Sequence, residues 1–202
     1  MDKPYSIRLL KGKEIQRHLP NVANLRLRVF KEYPYLLDGD LKEALEYLSL
    51  YATAKSSLLV TATSNNELVG TVAGVPLNAT AAIIQKTFVD NHQNLEQWFY
   101  IDEIVIAPQW RNRGLSRVFL HALEDHAKES GYRFTTFCVI RRPPTHPLRP
   151  RGFVPLNESF AESGYERLPD LALELNWVDI GDGRPSAKKM DFWYKDLTVK
   201  KD

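Results

Sequence analysis

Arg111, Arg113 and Gly114 stand in a short basic turn between an apolar run, Tyr100 to Ile106, and a strongly periodic segment that begins at Leu115. The order is strand, turn, helix. Leu115, Val118, Phe119, Ala122, Leu123 and Ala127 recur at three- and four-residue steps, so they share one helical face, and Gly131 stands where a left-handed cap would end the helix. The first turn of such a helix carries backbone N–H groups without intrahelical partners, and the helix dipole places partial positive charge there. An anion is the natural guest. Gly114 lets the backbone come close to it, because a side chain at that point would stand between the amides and the bound group. With one glycine the turn is neither the phosphate loop G-x-x-x-x-G-K-[ST] nor the three-glycine dinucleotide fingerprint.

The elements that must position this turn are legible around it. Tyr5 to Leu10 reads as a short strand, followed by helix from Lys11 to Leu19, a break at Pro20, and a second apolar helical stretch holding Val22, Leu25, Leu27, Val29 and Phe30, which Tyr33-Pro34 ends. Next, Tyr33, Tyr35, Tyr47 and Tyr51 are interleaved with Asp38, Asp40, Glu43 and Glu46, with a turn at Asp38-Gly39 and a helix from Leu41 to Tyr51. Ser57 to Thr63 and Leu68 to Val75 form a hairpin about Asn65-Asn66. Ala79 to Gln97 is helical in its first part, with Ile83, Ile84, Phe88 and Val89 on one side. Phe134 to Ile140 is another apolar strand. Arg141 to Pro155 holds Arg141, Arg142, Arg149 and Arg151 among five prolines and reads as a solvated basic loop. A short helix, Glu158 to Ser163, precedes a closing antiparallel pair, Leu171 to Trp177 with Met190 to Leu197, about a glycine-rich turn.

Composition sets bounds. At 202 residues, with 44% apolar and 26% charged residues, the chain is read as one globular domain, residues 1–202. A formal net charge of +2 argues against nucleic acid as a partner, and no apolar run reaches membrane-spanning length. The single Cys138 excludes an internal disulfide and lies in an apolar strand, where a packed thiol is expected. A cytoplasmic location is the expectation, and homodimerisation stays open.

The segment Arg111-Asn112-Arg113-Gly114-Leu115-Ser116 resembles the pyrophosphate loop of the GCN5-related N-acetyltransferases, whose pattern is Gln or Arg, two residues, Gly, one residue, then Gly or Ala. Ser116 departs from the last position but is small. FKEYPYL, RNRGLS and MDFWYKDL look most like a bacterial branch of that family. The resemblance implies a single α/β (α+β) domain with a mixed, mostly antiparallel sheet, a splayed central parallel strand pair and flanking helices. It implies acetyl-coenzyme A as cofactor, its pantetheine arm paired with backbone groups of Ile104, Val105 and Ile106, and its pyrophosphate on the amides of Arg111 to Ser116. The wall built by the first two helices and their connection, with Tyr33, Tyr35 and Asp38, becomes the acceptor surface for a small-molecule or protein amine.

Acetyl transfer to an amine by direct attack, through a tetrahedral intermediate, needs a base because an ammonium has no lone pair. In the family the acid group often lies on the central strand nine or eleven residues before the loop's Arg or Gln, which here gives Asp102 and Tyr100. Both face one side of an unbroken strand and Glu103 the other, unless a bulge reverses that facing, so Glu103 is the reserve candidate. A backbone N–H near Val105 is the implied oxyanion donor. The family's usual tyrosine, the acid for the departing thiolate, is replaced by Phe160, and Tyr165 lies beyond the helix-ending glycine. A non-catalytic acyl-coenzyme A sensor is the alternative that Phe160 favours. A nucleotide-binding α/β domain is a further one.

Overall fold

The computed structural model describes residues 4–155 and 157–199. Its centre is a seven-stranded sheet in the order β1-β2-β3-β4-β5-β7-β6. The strands are β1 (Ser6–Leu10), β2 (Leu58–Ser64), β3 (Glu67–Pro76), β4 (Trp98–Ile106), β5 (Phe134–Ile140), β6 (Glu166–Val178) and β7 (Pro185–Asp196). Asn65 and Asn66 both take positive φ (49° and 63°), the backbone that a two-residue hairpin needs to match the strand twist, so β2 and β3 pair as expected, Ser64 opposite Glu67. Every pairing is antiparallel except β4 with β5. The expected mixed sheet with a central parallel pair is therefore the fold of this chain.

Among the described residues five α-helices cover the sheet: α1 (Lys13–Phe30), α2 (Leu41–Thr53), α3 (Ala82–Asp90), α4 (Leu115–Glu129) and α5 (Asn157–Glu162). On one face Ile15, Leu19 and Val22 of α1, Leu48 and Tyr51 of α2 and Phe88 of α3 meet Trp98 and Tyr100 of β4. On the other, Leu115, Phe119 and Leu123 of α4 and Phe160 of α5 meet Phe99, Ile101 and Phe137. Asp40 caps α2, its carboxylate accepting the Glu43 N–H at 2.8 Å.

Two expectations are corrected. The break at Pro20 does not occur, and α1 runs through it from Lys13 to Phe30. A mid-helix proline costs about 3 kcal/mol. Ile15, Leu19, Val22, Ala23, Leu25 and Phe30 are all buried on either side of it, and the large ones each contribute about 1.5–3 kcal/mol, so packing overrides the local penalty. In α3 only Ile84 and Phe88 turn inward, while Ile83 and Val89 are exposed, because adjacent positions on a nine-residue helix lie about 100° apart.

Strand β5 pairs with β7 along its whole length but with β4 only at Trp98 to Tyr100, opposite Phe134 to Thr136. Beyond Tyr100 the two strands part. Their facing edges open a cleft inside the sheet.

Candidate active site

The cleft is floored by a bulge. Ala73 of β3 stands opposite Glu103 and Gly74 opposite Ile101, so Asp102 is an extra residue on β4. The expectation that Glu103 faces away from Asp102 is corrected by this insertion, for both carboxylates meet groups on the α1 and α2 side. Asp102 accepts the Tyr47 hydroxyl on Oδ1 at 2.6 Å and the Tyr51 hydroxyl on Oδ2 at 2.8 Å. Glu103 Oε1 accepts the Arg26 Nε–H at 2.5 Å, and the guanidinium lies over the rings of Phe30 and Tyr47 at 4.9 and 5.0 Å. Tyr100 shares a 3.0 Å hydrogen bond with Cys138 Sγ of β5, at the point where the strands separate.

Burial dominates the electrostatics. It pushes the Glu103 carboxyl up to about 7, with the Asp102 charge adding to the rise and Arg26 opposing it. Burial also raises Asp102, against the two phenol hydrogen bonds and Arg26, which favour its ionised form. Desolvation lifts the Cys138 thiol to about 12 and the phenols of Tyr35, Tyr47, Tyr51 and Tyr100 well above their usual range, so these groups stay neutral near pH 7. Arg26 is thus the cation that faces both buried carboxyls, bound directly to Glu103 and favouring the charged form of Asp102 from a greater distance.

At the mouth of the cleft the turn after β4 is built as an anion cradle. Asn112 (φ 58°) and Gly114 (φ 76°) take left-handed backbone, and a Cβ at Gly114 would meet nothing within 4 Å. The expectation that the Arg111 amide takes part is corrected, since its N–H donates to the Pro108 carbonyl at 3.2 Å; the amides of Asn112 to Arg117 have no hydrogen-bond partner among the described residues, and the first helical bond of α4 runs from Val118 N–H to Gly114 C=O. Leu115 is buried against the core and offers only its amide, whereas Ser116 is exposed beside it. The loop's arginines are held by the protein itself. Arg111 pairs with Glu32 at 2.8 Å and donates to the Ile106 carbonyl at 3.2 Å, and Arg113 lies over Trp110 at 5.1 Å. Along the free edge of β4, Ile104 and Ile106 turn toward α4, and Val105 packs on Leu25 and Phe30 of α1.

The three acceptor-surface residues part company. Tyr33 packs edge-on against Phe153 at 4.7 Å and lines, with Glu32, Arg111, Leu148 and Ile180, a cavity of about 570 Å³. Tyr35 stacks on Phe30 at 4.5 Å beside the acid cluster. Asp38 is exposed, and its side chain has no partner among the described residues.

The basic loop is not simply solvated. The Arg142 side chain is buried, donating to Asp179 at 2.6 and 2.9 Å and to the carbonyls of Pro34 and Tyr35 at 2.8 Å each, so it ties the α1–α2 connection to the β6–β7 turn. Arg141 pairs with Asp191. Phe160 packs on Phe137 at 4.7 Å, and the Tyr165 hydroxyl donates to Glu124 at 3.0 Å in the α4-side core, so neither presents an acid to the α1 side.

Sequence reasoning missed Arg26. Its signal was its place four residues after buried Val22 and four before buried Phe30, a charge on the inner face of α1.

The cradle behind a splayed parallel pair defines an acyl-coenzyme A fold, and the sequence agrees. The profile of the Acetyltransferase (GNAT) family matches residues 22–148, and the chain belongs to that family. Acetyl-coenzyme A is the family's cofactor, and the open β4 edge and unpaired amides fit it. No curated protein sequence matches the chain. Among solved structures, ribosomal-protein-alanine N-acetyltransferase from Brucella melitensis is similar at 13% identity and TM-score 0.63, over 95% of this chain and 99% of that one. An N-acetyltransferase from Staphylococcus aureus Mu50 gives 13% identity and TM-score 0.59, over 96% and 99%. Aminoglycoside 6'-N-acetyltransferase complexed with coenzyme A gives 14% and 0.57, over 96% and 99%. At these identities the likeness is one of fold. No helix among the described residues is long and apolar enough to cross a membrane.

Proposed function

We propose that this acetyltransferase moves an acetyl group from acetyl-coenzyme A to an amine nitrogen, with Asp102 as the general base. The observation that carries the reading is the bulge, which places Asp102 beside the free edge of β4, held by two hydroxyls and not paired with a cation. When bound, acetyl-coenzyme A supplies an electrophilic thioester. The amides of Asn112 to Arg117 would hold its pyrophosphate, the free edge of β4 at Ile104 to Ile106 would orient its arm, and a β4 N–H near Val105 would supply a donor for the oxyanion. Asp102, which no cation among the described residues contacts directly, attracts an ammonium, and its carboxylate takes the proton that must leave before the nitrogen can attack. Tyr33 and Tyr35 form the acceptor wall. Tyr100 stands at the apex of the cleft.

Release of the coenzyme A thiol, followed with acetyl-coenzyme A and a panel of amines, tests the activity. Asp102→Asn keeps the shape and removes the proton acceptor, so kcat falls by about 10²–10⁴-fold with cofactor affinity held, and the loss shrinks as pH rises and more of the amine is already neutral. A raised KM at unchanged kcat would mean that Asp102 only positions the cation. Wild-type kcat and KM across the pH range would remove Asp102 from the mechanism and pass the role to Glu103.

A second reading, an acyl-coenzyme A sensor without turnover, is favoured by Phe160 at the usual acid position and by Tyr165 turned into the core. Calorimetric binding of acetyl-coenzyme A with no thiol release across the panel would decide for it.

A further inference from the structure

Helix α2 presents two phenols to one carboxylate. Tyr47 and Tyr51 lie four residues apart, hence on one helical face, and each donates to a different oxygen of Asp102, at 2.6 and 2.8 Å. Tyr51 is wholly buried and fixed in the core, whereas Tyr47 is 42% exposed and its ring packs edge-on against Tyr51 at 6.4 Å. The plane of the carboxylate is thus set by α2, an element remote in sequence from β4. We propose that Tyr47 and Tyr51 are positioning residues for Asp102, holding its carboxylate ionised and in one orientation with a lone pair on each oxygen left for the N–H groups of a primary or secondary amine. The proposal rests on the reading of Asp102 as the base.

The groups around Asp102 show why the phenols matter. Arg26 on α1 favours its charge but is bound directly to Glu103, the neighbouring carboxyl on β4. Tyr35 of the α1–α2 connection, Tyr100 of β4 and Cys138 of β5 are neutral near pH 7. The two hydroxyls are therefore the direct donors that offset desolvation of the carboxylate among the described residues. A carboxylate held this way keeps a lone pair for one N–H at each oxygen, which a primary or secondary ammonium can supply and a tertiary one cannot.

The test needs no acceptor. In the full chain labelled with carbon-13 at the aspartate carboxyls, the Asp102 resonance is assigned by its loss in Asp102→Asn and titrated. Tyr47→Phe and Tyr51→Phe each remove one donor to the charged form, so the Asp102 midpoint moves up by about one to two pH units in each. A merely structural role would leave the midpoint in place. Midpoints unchanged in both variants, with their amide spectra intact, overturn the proposal while leaving Asp102 free to act as base. Raised midpoints together with wild-type turnover in Asp102→Asn overturn the base reading, and with it the task given to the phenols. If Tyr51→Phe fails to fold, Tyr47→Phe, altered only at the rim, decides alone.

Discussion

Glu103→Gln gives the sharpest test of the buried acid cluster, because its effect on stability changes with pH. The Glu103 carboxyl is 7% exposed and is pushed up to about 7 by burial, from an ordinary value of 4.5. A folded-state value above the unfolded one means that the folded protein holds the proton more tightly, so this group's contribution is fully present below pH 4.5 and is lost as pH rises through about 7. The displacement of about 2.5 pH units corresponds to about 3 kcal/mol. Glutamine mimics the protonated carboxyl and keeps an acceptor for Arg26 but does not titrate. Below pH 5 the variant and the parent therefore differ by about 1 kcal/mol or less, the net worth of one altered hydrogen bond. At pH 8 the variant is the more stable, by up to about 3 kcal/mol, even though an ion pair at 2.5 Å has been removed. Urea unfolding from pH 5 to 8, with unchanged m-values, reads this difference. A pH-independent difference between the two proteins, or a variant that is less stable at pH 8, would show that Arg26 holds Glu103 ionised throughout and would refute the reasoning.

The remaining predictions concern the cradle and the clamp. Gly114→Val forces a branched side chain onto φ 76° and into the open space before the amides, so coenzyme A affinity falls by at least about tenfold in calorimetry with the fold retained, and unchanged affinity would remove the pyrophosphate site. Arg142→Met leaves the Pro34 carbonyl unpaired, the Tyr35 carbonyl with the Trp177 indole N–H alone at 3.1 Å and Asp179 with Lys188 alone at 3.3 Å; it costs about 3 kcal/mol in urea unfolding and raises the acceptor KM more than it lowers kcat.

What the sequence disclosed was local. Asn65-Asn66 announced its hairpin because turn chemistry is decided within four residues, and the strand-turn-helix around Gly114 was readable because periodicity and glycine placement carry it. The bulge at Asp102 was not readable, since it is a mismatch of register with Ala73 and Gly74, and nothing in β4 itself marks the extra residue. The burial of Arg142 depends on Asp179 and on two carbonyls more than a hundred residues upstream, so its run of arginines and prolines read as solvent-facing. Tyr47 and Tyr51 were visible as part of an acidic, aromatic segment. Their partner was not one of the acids interleaved with them but Asp102, on another element. Pro20 failed as a stop signal for the converse reason: a local rule met a large buried face.

The parting of β4 and β5 also bears on how the chain avoids sticking to its neighbours. An unpaired strand edge is ordinarily a template for edge-to-edge aggregation, and proteins blunt it with charge, proline or a covering loop. Here the unpaired edge lies in the middle of the sheet, with α1 and α2 over one face and α4 over the other. A foreign β-strand flanked by its own sheet has no way in. A slender, flexible chain with amide groups spaced along it would fit, so this inner edge can offer strand-like recognition to a small molecule while being closed to a sheet of another polypeptide.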